Sequence, residues 1–208
     1  MISTNTVTIK YNGSIDDNLY EQIKQYKDHY DITLILTSIG GYFDDLFKIC
    51  NFIKKRTGKF NVTVSDHACS CATVLCLAAN KLIMMKNSYI GAMNPIVEIS
   101  FNDSPMTFDF EVGDIIQYLK NNKSILKDEH IGYQQNILNY INEQGLSYFE
   151  NKQNQIRSDI KKIINPIYNI DNILKHMFDN ISSHNDLFTI NDLAKFTGAK
   201  TRMINTTI

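Results

Sequence analysis

Ser70 stands where a hydroxyl has uses beyond packing. In His67-Ala68-Cys69-Ser70-Cys71-Ala72-Thr73 it follows a β-branched run and opens an apolar segment, at the entrance to an expected helix. Small neighbours at Ala68, Cys71 and Ala72 leave room beside it. The Cys71 amide falls in the first helical turn, where it has no acceptor within the helix. Such an amide, helped by the helix dipole, can hold an oxyanion. The spacing fits two readings equally: a nucleophile at a helix mouth, or a serine that caps the helix. A second feature is Thr37-Ser38-Ile39-Gly40-Gly41, after one apolar run and before another. Paired glycines permit a tight turn and expose amides at the carboxyl edge of a sheet, where ligands of open α/β folds bind. An ordinary strand-to-helix turn is the alternative. The pattern lacks the third glycine of a dinucleotide fingerprint and the Gly-Lys-Ser/Thr of a P-loop.

His67 is three positions from Ser70, so it either faces the same pocket or is a polar residue at a strand end. The four cysteines, Cys50, Cys69, Cys71 and Cys76, do not have the spacing of a zinc site, and they read as small residues packing a core helix. No metal and no cofactor is expected.

The elements around these residues follow from period. Residues 7–11 alternate like a strand, and Asp16 caps a helix whose apolar face is Leu19, Ile23 and Tyr26. Residues 32–36 form a near-continuous aliphatic run, expected as a strand buried on both faces. Leu46, Ile49, Cys50 and Ile53 line a second helix, residues 61–65 a third strand, and residues 70–79 a helix apolar all round that belongs in the interior. Residues 81–85 and 89–90 add two short strands. This alternation means right-handed crossovers and a mostly parallel sheet. Residues 97–110 are either a loop or a small hairpin. Helices are expected over 112–119, 127–141, 146–164 and 173–178, and from a Thr189 cap to Gly198.

The whole is expected as a single domain over residues 1–208, with an α/β core in 1–97 and a mainly helical extension in 98–208. Twenty-one basic against twenty-two acidic residues give a net charge of -1, which offers polyanions no general attraction. No nucleic-acid partner is expected. The longest apolar run, around residues 72–79, is far short of the about 20 residues a bilayer span needs, so no membrane partner is expected either. MISTNTVTIKYNG has neither the basic head nor the apolar core of a secretion signal, and cytoplasm is the expected compartment.

Taken in order, these motifs resemble the Clp protease and signal-peptide-peptidase superfamily within the crotonase-like fold, and most closely its soluble branch of serine dehydrogenase proteinases. Ile39-Gly40-Gly41 is similar to that group's Pro-Gly-Gly turn, and Ala68-Cys69-Ser70-Cys71-Ala72-Thr73 to its Ala-x-Ser-Ala-Gly-Thr nucleophile segment. Leu75-Cys76-Leu77-Ala78-Ala79-Asn80, Leu82-Ile83-Met84 and Ile90-Gly91-Ala92-Met93-Asn94-Pro95 match the stretches that follow. Ser183-His184-Asn185-Asp186-Leu187-Phe188-Thr189 matches a Ser-His tail. The resemblance implies a ClpP/crotonase-like spiral of β-β-α units with a mostly parallel sheet and a helical C-terminal half. It implies an ATP-independent serine peptidase acting on peptide or protein substrates, commonly as a homo-oligomer. Ser70 would be the nucleophile, and the Gly41 and Cys71 amides the oxyanion hole.

The resemblance also shows departures. Met93 occupies the place of the Clp-type catalytic histidine. Peptidases of the signal-peptide class place a lysine base several tens of residues after the serine, which leaves Lys120, Lys123 and Lys127, with Lys123 carried forward. His184, inside the tail motif, is the other candidate base. Ala72, Asn94 and Ile39 replace a glycine, an aspartate and a proline. The alternative is therefore a catalytically inactive interaction or scaffold protein. Acyl-thioester chemistry of the crotonase kind is a third reading, with no role for Ser70.

Overall fold

A computed structural model describes residues 5–101, 106–179 and 186–197. The described residues form two compact units, one comprising the chain up to Met93 together with residues from Ile160 onward, the other Asn94–Asp159.

The first unit is an α/β structure built on a mostly parallel sheet. β1 (Thr6–Asn12) leads through Asp16 into α1 (Asp17–Lys24). The Asp16 carboxylate accepts the Leu19 amide at 3.1 Å, as its N-cap position requires. β2 (Asp31–Ser38) pairs in parallel with β1, and α2 (Phe43–Lys55) carries the chain to β3 (Phe60–Ala68), on the other side of β2. α3 (Cys71–Ala78) follows, then β4 (Lys81–Met84) and β5 (Tyr89–Gly91), both parallel to β3. Residues 32, 34, 36 and 38 of β2 are buried, whereas those between are half-buried. The strand thus has one fully covered face, not the two expected from its aliphatic run.

α3 matches its composition. Every residue from Cys71 to Leu77 is buried, and Asn165 closes its C-terminal end by donating its amide to Leu77 O and its side-chain NH2 to Ala79 O, both at 2.9 Å. The C-terminal part of this unit is helical, with α6 (Ile170–Leu174) running into a π turn at Lys175–Asp179, and α7 (Ile190–Thr197). Thr189 and Asp192 exchange hydrogen bonds at the start of α7, so the expected cap is present. A two-residue strand absent from the sequence expectation, β8 (Leu187–Phe188), runs antiparallel to β5.

In the second unit, β6 (Ile96–Ser100) and β7 (Thr107–Glu111) pair antiparallel, the hairpin of the two expected alternatives. Val97, Ile99, Phe108 and Phe110 turn to one face and pack with Ile115 and Ile116 of α4 (Val112–Asn121) and with Ile137, Ile141 and Phe149 of α5 (Gln134–Ile163). The helices expected over 127–141 and 146–164 run together in α5, interrupted only at Gly145, whose φ of 74° and ψ of 166° lie outside helical space. Residues 128–130, expected as helix, form a single 3-10 turn instead.

Candidate active site

The carboxyl edge of the first unit's sheet gathers three backbone segments around Ser70. At this edge β3 opposes Leu36 and Ser38 with Val64 and Ala68, so it carries two more residues than its partner. A bulge of this kind re-aims the strand end, a device common beside active sites. The Thr37 and Ser65 hydroxyls, 2.8 Å apart, fill the irregularity, and Ser65 Oγ donates to Leu36 O. Beyond the bulge the chain is pinned at consecutive residues: the Cys69 amide donates to Ser38 O and the Ser70 amide to Ala92 O, each at 3.0 Å.

Ser70 itself adopts φ 52° and ψ −123°, a conformation costly for a residue with a side chain. It occupies the N-cap of α3, yet its side chain makes no capping hydrogen bond. Of the two readings open from spacing, the cap is therefore not realised. The Ser70 side chain packs beside the double-glycine bend. A Cβ built on Gly40 would lie 2.8 Å from Ser70 Cβ and 3.4 Å from its Oγ. At Gly41 it would come within 2.2 Å of Ile15 O, so the bend admits only glycine there. Ile15 holds the bend on both sides, donating to Gly40 O at 2.7 Å and accepting the Tyr42 amide at 3.0 Å. Ser38 Oγ accepts the Gly40 amide at 3.2 Å.

These bonds leave two amides unspent. Among the described residues, neither the Gly41 nor the Cys71 N–H donates to a backbone carbonyl. Burial pushes the Cys71 thiol up to about 11, while the Ser70 hydroxyl and the Gly41 and Cys71 amides act in the opposite direction. The Cys71 amide follows Ser70 directly in the chain, and the Gly40–Gly41 bend packs against Ser70 Cβ. A hydroxyl beside two amides that bond no backbone carbonyl matches what acyl transfer needs for attack and for holding the oxygen that becomes negative.

The expected bases are placed less closely. His184 lies outside the described residues. Lys123 belongs to the second unit, where it is exposed and sits 3.6 Å from Asp114. Lys120 and Lys127 pair with Glu150 and Glu129. Met93 is buried and donates its amide to Met177 O. Asn94, in the aspartate position, donates its side-chain NH2 to Glu111 at 2.6 Å. Among the described residues no imidazole or amine hydrogen-bonds Ser70 Oγ. His67 has the company a base needs, with Nδ1 2.8 Å from the Asp66 carboxylate and the ring stacked on Tyr89.

Sequence reasoning passed over Thr73 and Asp66. Thr73 was the one polar side chain in a wholly apolar helix, and Asp66 the carboxylate next to His67. Both signals were present in the residue types alone.

A family model described as Clp protease matches residues 4–112 of this chain. Among solved structures, a serine-to-alanine mutant of the 1510-N membrane-bound stomatin-specific protease is 22% identical, with 58% of this chain and 63% of that one covered at a TM-score of 0.46. A lysine-to-alanine mutant of the same protease, in complex with a substrate peptide, is 23% identical over 58% and 59%, again at 0.46. The 1510-N membrane protease specific for a stomatin homolog from Pyrococcus horikoshii is 23% identical over 43% and 50%, at 0.38. This chain spans less than two thirds of each of these proteins. No curated protein matches it.

Proposed function

Because this chain belongs to the Clp protease family, we propose that it is an ATP-independent serine peptidase with Ser70 as nucleophile. Ser70 Oγ attacks the scissile carbonyl, the Gly41 and Cys71 amides hold the tetrahedral oxygen, and an acyl-enzyme forms as the amine leaves. Water then attacks the ester and frees Ser70. One well-placed oxyanion donor is worth about 3 kcal/mol of barrier in such sites. The observation that carries this reading is the conformation of Ser70: strained, making no capping bond, and packed beside the glycine bend.

The general base is His184 of the tail motif, Lys123, or the Asp66-held His67. Alanine substitution of each separates them, since loss of the true base slows attack at neutral pH and lets it recover as pH rises. We place the chain with the serine dehydrogenase proteinases, with a crotonase-like spiral, acting as a cytoplasmic homo-oligomer on peptide or protein substrates.

A fluorophosphonate tests the nucleophile: Ser70 Oγ bonds to phosphorus, fluoride leaves, and the serine proton passes to the base. Wild type is expected to be labelled and Ser70→Ala silent. Equal labelling of both, or of neither, overturns the nucleophile. A second reading rests on one observation, the absence among the described residues of a base hydrogen-bonded to Ser70 Oγ. On that reading the chain binds peptides without cleaving them, and unlabelled protein that retains a peptide would support it.

A further inference from the structure

Thr73 is fully buried, and its hydroxyl is the hub of three hydrogen-bond contacts. Oγ1 lies 2.7 Å from Ala68 O and 2.9 Å from Gly91 O, the two carbonyls that share its proton, and it accepts the Gly91 amide at 3.2 Å. These contacts join the last residue of β3, the first turn of α3 and the end of β5. Ser70 lies inside the loop that the Ala68 contact closes. The residue after Gly91, Ala92, supplies the carbonyl that takes the Ser70 amide. The Thr73 hydroxyl therefore reaches the nucleophile by two routes, one along its own loop and one through β5.

Building on the serine-peptidase reading above, we propose that Thr73 is a positioning residue that holds Ser70 in its strained, reactive conformation. A residue at φ 52° and ψ −123° relaxes unless its surroundings over-determine it. Without the hydroxyl, the Ala68 carbonyl and both polar groups of Gly91 lose a buried partner, and the segment bearing Ala92 O loosens. Ser70 can then turn toward ordinary helix-capping space, which carries Oγ off the line of attack. Thr73 touches no substrate. Its effect falls on the rate of attack and not on binding.

The test is the kinetics of fluorophosphonate labelling at Ser70, resolved into the limiting rate at saturating probe and the probe concentration giving half that rate. Thr73→Val is expected to lower the limiting rate about 10- to 100-fold while the half-saturating concentration stays within about twofold. Thr73→Ser, which restores the hydroxyl, is expected to recover the rate to within about threefold of wild type. If Thr73→Val does not fold, as judged by circular dichroism, Thr73→Cys replaces it. Its thiol occupies the site but bonds weakly, and it is expected to be slow where Thr73→Ser is fast. Labelling of the hydroxyl-free variant at the wild-type rate overturns the positioning role alone. An equal loss in the Ser variant does the same. Wild-type protein that takes no label, or label that survives Ser70→Ala, overturns the nucleophile and the positioning role together.

Discussion

A methyl group at Gly40 would lie 2.8 Å from Ser70 Cβ, on a residue whose φ is 124°. Neither the space nor the backbone accepts it, and something must move. Of the two sides in contact, the bend is fastened by Ile15 and Ser38, whereas Ser70 is held in a conformation it would leave readily. Gly40→Ala is therefore expected to displace Ser70, slowing its phosphonylation by about 100-fold, the usual penalty for moving a reacting atom by about 1 Å. Rates measured beside the melting temperature check this, because a fall in rate without a comparable fall in melting temperature marks local displacement. The turn at Gly40–Gly41 and the helix start at Ser70 were legible because backbone geometry is written locally, in a Gly-Gly pair and in a serine before an apolar run. The base was not legible. Whether an imidazole meets a hydroxyl depends on tertiary approach, and Met93 stands at the one position where the resemblance to Clp-type peptidases would have named it.

Several elements of the first unit meet at Arg56, just past the end of α2. Its guanidinium donates to Tyr26 O at 3.1 Å, Lys27 O at 2.8 Å and Tyr30 O at 3.0 Å, so it serves the chain between α1 and β2 from the far side of α2. Arg56→Met keeps the aliphatic stem but leaves those carbonyls unmatched, with an expected loss of about 3 kcal/mol. Urea unfolding checks it, and Arg56→Lys, which cannot span three carbonyls, should recover only part. At this scale β1 to β5 followed from β-branched runs between glycine and polar breaks. β8 did not, because two residues are too few to show a period, and it exists only through its pairing with β5. The hairpin of β6 and β7 stayed open for a similar reason. Its alternation is plain in Val97, Ile99, Phe108 and Phe110 only once the strands are known to face a common core.

Stability of the whole molecule should depend on pH through a buried histidine in the second unit. His130 packs against Phe108 and Phe110, and its Nδ1 accepts the Lys127 amide at 2.9 Å. Burial holds its pKa below the ordinary 6.5, outweighing the opposite pull of Glu129. The folded chain keeps the ring neutral while the unfolded chain takes a proton, so stability present above about pH 6.5 is lost as pH falls toward the folded value. Urea midpoints at about pH 7.5 and about pH 5.5 should differ, and the difference should shrink in His130→Phe. Equal slopes in the two proteins would remove His130 as the cause.

β3 offers one edge to two neighbours, β4 along Asn61–Val64 and β5 along His67–Ala68. The sheet branches there, and Ser70 lies past the far end of the β5 limb, with its amide on Ala92 O. Residues 85–88 join the two limbs, and the Met85 amide is tied to Val64 O where they part. Lengthening or shortening that link would swing the β5 limb, and with it Gly91 and Ala92, which bond the Thr73 hydroxyl and the Ser70 amide. The length of a four-residue strap, remote from the serine in sequence, is thus bound up with the serine's own posture.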